Sequence, residues 1–471
     1  MTGPRLRSVH VVVVGAGVAA VRLAERLAGH SRYAVTILGD EPCLPYNRAL
    51  LPSALGSSRP AARLRFHAAS WYRRNGINLR TGTAVIAIDR KSHRVVLADG
   101  NDVRYDVLVL ALGAASTVPM VSGIRRLLAR RCRVFTVRTA EDVRRLTAAL
   151  HHARTVAVLG GGATGIALAT GIALRGREVE LVHSDAYLLD GVVDRTAANL
   201  IHTNLEKLGV RVRCGAPARS IVEGSAGVRL VCADGGLVVA DMVVVACGAR
   251  PRMRLAARAG LSIAEDGIAV TSELSVVDDP DIFAIGDCAA ALGKGEALAA
   301  WEHADLLASA LLGAPFERSP FLRTIRIHTG SLDLAVLGQP LAGTPVTLHD
   351  AARSTYKRLA VENNRLVGAL LVGDTSEAGR LALALRRPWT PLFLRGVLFR
   401  YQDVEHRGLL PTETDLLCVC RSVSVAGFRA ALDETSDWEE ACRRTGAGTG
   451  CGTCRTAIER FASRYKTEHV A

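Results

Sequence analysis

Four cysteines near the C-terminus have the types and spacing to do chemistry. They are Cys418-x-Cys420 and, after thirty intervening residues, Cys451-x2-Cys454. In a reducing compartment, clustered thiolates read as metal ligands rather than disulfides. Four sulfur donors suit zinc or an iron–sulfur centre. Structural zinc usually takes cysteine pairs with two to four residues between them, and Cys-x-Cys is tighter. The second pair sits in the glycine-rich stretch "GAGTGCGTC". Glycines let backbone N–H groups approach cluster sulfides and tune their potential, which favours iron–sulfur. The other seven cysteines are scattered and read as small buried thiols, Cys442 among them in the middle of a helix.

A second chemistry-bearing pattern opens the chain. "GAGVAA" from Gly15 follows the β-branched run Val11–Val14 and precedes an amphipathic helix through Leu27. Gly15 makes the tight turn, Gly17 admits a pyrophosphate, and Ala20 packs helix on strand. The helix N-terminus attracts the phosphates. A strand over Ala34–Leu38 ends at Asp40-Glu41, where an acid would hold an adenosine ribose. The device recurs 145 positions later: a strand over Val156–Leu159, then Gly160, Gly162 and Gly165, then a helix. Its second strand, Glu178–Val182, ends at His183 instead of an acid. Two such folds imply two dinucleotides, as in a flavin–nicotinamide pair. A third element, "DIFAIGDCAA", runs an apolar strand into Gly286-Asp287 and a helical stretch. Asp287 there suits either an N-cap or a hydrogen bond to a ligand hydroxyl.

These sites need several cores to hold them. At 471 residues and 49% apolar composition the chain has material for about three domains and is not disordered. No apolar run reaches the roughly 18 residues of a membrane span, and the Val9–Ala20 stretch lacks a cleavage site, so a cytoplasmic location is expected. Of 59 basic residues only five are lysine, and the arginines are spread along the chain. That argues against nucleic acid, whose binders cluster their charge. The net charge of +14 suits a solvated surface or steering of anionic cofactors and acidic partners.

Taken in order, Gly15-x-Gly17, "YDVLVLALGA", the second glycine loop, "VVVACGARP" and "DIFAIGDCA" resemble the two-dinucleotide-binding-domain flavoproteins. "GDEPCLPYNRALL" resembles their ferredoxin-reductase branch. "STYKRLAVENNRLVGALLVGDTSEAGRLALAL" is similar to the interface domain of assimilatory NAD(P)H nitrite reductase large subunits and of assimilatory nitrate reductase electron-transfer subunits. The tail resembles bacterioferritin-associated-ferredoxin-like [2Fe-2S] domains, with both cysteine pairs on loops between short helices. The resemblance spans residues 8–465. It implies an α/β fold class: two Rossmann-like domains, an α+β interface domain and a small helical [2Fe-2S] domain. The FAD-binding domain is expected at 1–119 and 248–308, the NAD(P) domain inserted at 120–247, the interface domain at 309–385, a linker at 386–411 and the cluster domain at 412–466.

The resemblance also assigns roles. Asp287 would contact the FAD ribitol, Asp40 or Glu41 the adenosine ribose, and Asn47 and Arg48 the pyrophosphate and flavin. Val85 would meet the adenine through its backbone, and Gly113 and Gly286 belong to the same site. Arg48, Trp301, Glu302 and His303 are flavin-proximal candidates, with helix packing an equal alternative for the last three. Gly160, Gly162, Gly165 and His183 would hold NAD(P)H, with Gly248 and Arg250 nearby, and Cys418, Cys420, Cys451 and Cys454 the cluster. Arg421 and Arg455 each follow a ligand and read as surface charges. Three positions depart from the pattern: Ser53 for a lysine, Ala167 for a glutamate and Leu112 for a threonine. Cys43 stands alone, so a dithiol mechanism is not expected.

The expected function is transfer of electrons from NAD(P)H, with FAD and [2Fe-2S], to a partner: the assimilatory nitrate reductase catalytic subunit or a nitrite reductase. No sirohaem domain follows within the chain, so it is not expected to reduce nitrite alone. Two other readings stand beside this one: an FAD/[2Fe-2S] subunit of an amino-acid or amine dehydrogenase with a silent nicotinamide site, and a non-enzymatic redox sensor. NADH against NADPH, and assembly into an oligomer, are left open.

Overall fold

The computed structural model describes residues 8–55, 64–225, 227–291, 297–315, 324–329, 332–385, 413, 416–418, 421, 423–449 and 454–469. The expected 386–411 linker lies outside them, as do Cys420 and Cys451. The chain forms two compact units. One comprises residues 1–48, 62–115 and 249–321, the other 49–61, 116–248 and 322–471.

The first unit is built on a sheet ordered Ser275–Val276, Asp279–Ala284, Val107–Leu110, Val9–Val14, Tyr33–Leu38 and Asn78–Arg80. All its neighbours are parallel except the first pair. Side chains alternate across a strand, so Val11 and Val13 face one layer and Val12 and Val14 the other. Val11 and Val13 pack with Leu23 and Leu27 of the Val18–Leu27 helix and with Ala304 and Leu307 of the Ala297–Leu312 helix. Val12 and Val14 meet Val95, Leu97 and Val103 of an antiparallel meander. Both faces are covered, which is why the central strand carries four successive valines from Val11 to Val14. That strand starts at Val9, two residues before the apolar run, because its pairing with the second strand extends to Val9 and Tyr33; His10 is half-buried there, with its Nε2 2.9 Å from the Thr36 hydroxyl.

The second unit repeats the plan with a parallel sheet ordered Val210–Arg213, Glu178–Val182, Thr155–Leu159, Met242–Val245 and Val134–Thr136. Its loop helix, Ala163–Ala173, is apolar on all sides and buries Ile166, Leu168, Ala169 and Ile172. A helix of that kind must be covered all round. This one packs on its own sheet, on the Leu51–Leu55 helix and on the Thr324–Thr329 strand. A five-stranded antiparallel sheet over residues 324–372 follows, with the Ala378–Ala384 helix against it. The tail adds a two-stranded ribbon, Leu416–Cys418 with Val423–Ser424, and the helices Val425–Thr435, Trp438–Thr445 and Arg455–His469. Ser424 and Asp437 cap the first two of these helices through the Gly427 and Glu439 N–H groups, and Gly446 ends the second in a left-handed turn.

Candidate functional site

In the first unit Gly15 has φ +110°, and a Cβ there would run into the Ala111 carbonyl. Only glycine accepts both conditions. At Gly17 a Cβ would meet nothing within 4 Å, so that face of the loop opens onto free space. Gly17 caps the following helix without a side-chain bond, and no acid occupies the first turn. The helix therefore presents its N–H groups and positive end to that space, which fits the pyrophosphate of a dinucleotide. Gly113, at φ +66°, is equally open.

The expected FAD residues fall into two groups. Glu41 is engaged within the protein: its carboxylate accepts from the Tyr46 hydroxyl at 2.7 Å and pairs with Arg48 at 2.5 Å. Burial pulls the Arg48 pKa down, but Tyr46, Glu41 and Asp40 outweigh this and hold it above its ordinary value. Asp40 is 55% exposed and pairs with Arg252 at 3.4 Å. Asn47 is buried, and its N–H donates to the Leu64 carbonyl. Val85 opens a strand of the meander.

Asp287 lies in a single 3-10 turn, Gly286–Cys288, that follows the Asp279–Ala284 strand. The helical stretch expected there is absent among the described residues through 291. The chain is drawn sideways instead, because the Ala290 N–H donates to the Ile268 carbonyl. Asp287 is thus not the N-cap of an α-helix. His303 lies on the Ala297–Leu312 helix. It is buried, and its Nδ1 accepts the Gly286 N–H at 3.1 Å, so it fixes the turn that carries Asp287. Trp301 is buried and Glu302 half-buried on the same helix. Burial pushes the Cys288 thiol up to about 11 and raises that of Cys43, with Glu41 adding to the latter. Neither is poised as a nucleophile.

The second unit reproduces the cradle. Gly160 has φ +112°, and its Cβ would strike the Ala246 carbonyl. A Cβ on Gly165 would strike the Gly160 carbonyl, whereas one on Gly162 would meet nothing within 4 Å. Gly248 is exposed at φ +91°. Arg250 is exposed but belongs to the first unit. His183 is buried, and its Nδ1 accepts the Gly161 N–H at 3.1 Å. Ser53 lies on the Leu51–Leu55 helix and Ala167 on the Ala163–Ala173 helix, and these two helices pack together.

In the tail, Cys418 and Cys454 are buried. Cys418 ends a strand rather than sitting on a loop. Cys454 directly precedes the Arg455–His469 helix and accepts the Ile458 N–H at 2.8 Å. A helix N-terminus favours thiolate, as a metal ligand requires. Cys442 is buried mid-helix, as a core residue. Arg421 is half-buried, and a Cβ on Gly446 would lie 2.6 Å from its Nε. Its guanidinium packs against the Gly446 turn and is more than a surface charge.

Sequence reasoning missed the two histidine acceptors and Asp194. That aspartate caps the Arg195–Lys207 helix at the Ala197 N–H and accepts the Tyr356 hydroxyl at 2.7 Å. An Asp before a helix signals a cap, but nothing in one dimension points to Tyr356.

Comparison with known proteins gives three matches in chain order. Residues 416–462 match the BFD-like [2Fe-2S] binding domain and 334–387 the rubredoxin NAD+ reductase C-terminal domain. The assimilatory nitrate reductase electron transfer subunit of Bacillus subtilis is 27% identical over 98% of this chain and 60% of its own length. The nitrite reductase (NADH) large subunit of Escherichia coli is 29% identical over 95% of this chain and 54% of its own. The chain thus spans little more than half of these relatives. Putidaredoxin reductase, solved as a covalent complex with putidaredoxin, superposes with a TM-score of 0.73 at 25% identity, covering 82% of this chain and 96% of that one. FAD, NAD(P)H and a [2Fe-2S] cluster are the cofactors of these folds. With residues 9–306 matching it, and both glycine cradles formed within that span, the chain belongs to the pyridine nucleotide-disulphide oxidoreductase family.

Proposed function

We propose that this protein oxidises NAD(P)H and delivers the electrons singly to a partner reductase in nitrate or nitrite assimilation. The observation that carries this reading is the order of parts. Two dinucleotide cradles, an interface sheet and a buried cysteine pair occur on one chain, and 95–98% of it aligns with nitrate and nitrite reductase components. Bound FAD and [2Fe-2S] supply the conversion of a two-electron donor into a one-electron supply.

The residues of the chain bind and orient. Gly15 and Gly17 admit the FAD pyrophosphate, His303 holds the Asp287 turn against the ribitol, and Asp40 takes the adenosine ribose. Gly160, Gly162 and Gly165 admit the nicotinamide dinucleotide, with His183 pinning the loop. Cys418, Cys420, Cys451 and Cys454 hold the cluster. The acceptor is the assimilatory nitrate reductase catalytic subunit or a nitrite reductase. No described helix is long and apolar enough to cross a membrane, and the reading places both proteins in the cytoplasm.

The test is anaerobic mixing of FAD- and cluster-loaded protein with NADH or NADPH. Flavin bleaching should precede a reduced-cluster EPR signal, and the acceptor protein should then erase that signal. The neutral Ser53 and Ala167 favour one rival, a dehydrogenase subunit with a silent nicotinamide site. That rival predicts no bleaching with either nucleotide, an outcome that sinks the proposal.

A further inference from the structure

We infer that the outer face of a three-stranded ribbon in the second dinucleotide fold docks an acidic protein partner. The ribbon pairs Ala218–Gly224 with Gly227–Cys232, and the latter with Leu237–Ala240, all antiparallel. Its inner side chains, Ile221, Val228, Leu230, Val238 and Ala240, are buried in the core of that fold with Val121 and Ile124. The residues between them point the other way. The register lines them up across the ribbon in two rows, Val222–Arg229–Val239 and Ser220–Val231–Leu237. An antiparallel sheet with one face to water carries polar residues on that face. This one is largely aliphatic on both.

Ten large apolar side chains are exposed among the described residues, and four of them belong here: Val222, Leu237, Val239 and Met120. The three on the ribbon are 53, 53 and 56% exposed, and Met120 is 93% exposed. Met120 sits at the tip of a tight turn, in which the Val121 N–H donates to the Pro119 carbonyl at 2.8 Å. Ser122, just beyond it, pairs in parallel with Ser220. The Ser122 N–H donates to the Arg219 carbonyl at 2.9 Å, and the Ile221 N–H to the Ser122 carbonyl at 2.8 Å. These bonds fasten the Met120 turn to the edge of the ribbon. Apolar residues exposed singly need no explanation, whereas a contiguous group marks an interaction surface.

Charge identifies the partner. Arg229 stands on the middle strand, between Val222 and Val239. Arg125, Arg126 and Arg219 line a cleft of about 470 Å³ beside Met120. Among the described residues, none of these four guanidinium groups makes an ion pair or a hydrogen bond. The one acid on the three strands, Glu223, is held by Arg130 at 3.0 Å and Arg133 at 3.6 Å. Methionine and arginine around an apolar centre match the composition of protein interfaces. Four uncompensated cations call for carboxylates on the other side. A second copy of this chain would bring the same cations across a two-fold axis, against a net charge of +14. Nucleic acid would meet the arginines and leave the aliphatic rows uncovered.

The partner used to test this rests on the acceptor reading of the proposed function. Interferometry of the FAD- and cluster-loaded protein against the nitrate reductase catalytic subunit, and against the nitrite reductase, reads association and dissociation separately. One of the two should bind, less tightly as salt rises. Val222→Asp with Val239→Asp should weaken binding about tenfold or more, through faster dissociation. Arg219→Glu with Arg229→Glu should slow association and flatten the salt dependence. Both arginines are exposed, so that variant should keep the melting temperature and the rate at which the nucleotide reduces ferricyanide, which separates docking from folding. An affinity unmoved by both double substitutions overturns the inference and leaves the acceptor reading standing. So does a dimer, seen by sedimentation, that the same substitutions dissolve. Binding of neither reductase overturns the acceptor reading and this inference with it.

Discussion

Within each cradle the first two glycines of the motif do different work. Gly15 is constrained by its own φ of +110° and by the Ala111 carbonyl, whereas Gly17 borders open space. Gly15→Ala should therefore destabilise the first unit by about 2 kcal/mol or more, since both backbone strain and a clash must be relieved. Gly17→Ala should leave the melting temperature of the FAD-free protein unchanged and weaken FAD binding, because its methyl group enters only the space meant for the ligand. Thermal melts with and without added FAD separate the two. Equal loss of stability in both variants would show that Gly17 is also structural. The glycines could be read from sequence because positive φ is a local demand that one residue type meets. The histidines could not. His183 and His303 were named as ligand-side candidates, and that each accepts a glycine N–H is a choice of rotamer made by packing.

At the level of elements, ties between distant segments decide how the loop helices are held. Arg22, on the Val18–Leu27 helix, reaches both carboxylate oxygens of Asp305 at 2.7 and 3.0 Å, so it joins the FAD loop helix to the helix of His303. In the second unit Asp194 caps one helix and binds Tyr356 on a strand of the antiparallel sheet, with Arg358 at 3.5 Å. Burial, with Asp194 adding to it, pushes the Tyr356 hydroxyl up to about 12, so it stays a donor throughout the physiological range. Asp194→Ala should cost about 1 to 2 kcal/mol from the cap, plus the Tyr356 bond. Asn keeps the capping oxygen and should recover most of the loss. Denaturant midpoints for the two variants and for Tyr356→Phe check this. Equal midpoints for Asp194→Ala and Tyr356→Phe would mean that the cap contributes nothing. The strands and loop helices themselves were legible, since β-branched runs and 3.6-residue periodicity are properties of contiguous sequence. The bonds between them, 283 and 162 positions apart, are not.

The whole molecule carries a net charge of +14, mostly as arginine dispersed along the chain. The nucleotide donor of the proposed function is an anion, and an acidic acceptor would be drawn to the same field. Raising ionic strength from about 0.01 to 0.15 M shortens the screening length from about 30 to 8 Å, so the second-order rate of acceptor reduction should fall. The rate of flavin bleaching at saturating nucleotide should change little, because that step follows binding. Stopped-flow traces across a salt series read both. An acceptor rate that is flat or rising with salt would show that the arginines are a solvated surface without a steering role.

The sequence by itself determined two dinucleotide folds, an interface sheet and a cysteine-bearing tail. Each is announced by residues close together in the chain whose backbone conformation or donor chemistry admits few substitutes. Only the tertiary structure decided how those pieces are used: that Glu41 is engaged by Tyr46 and Arg48, that Asp287 lies in a 3-10 turn held by His303, and that His183 accepts the N–H of its glycine loop. Those outcomes depend on which polar atoms meet once the chain packs, at separations from five residues in Glu41–Tyr46 to 22 in His183–Gly161. A buried hydrogen bond is made wherever its partners are brought together, whatever their separation in sequence.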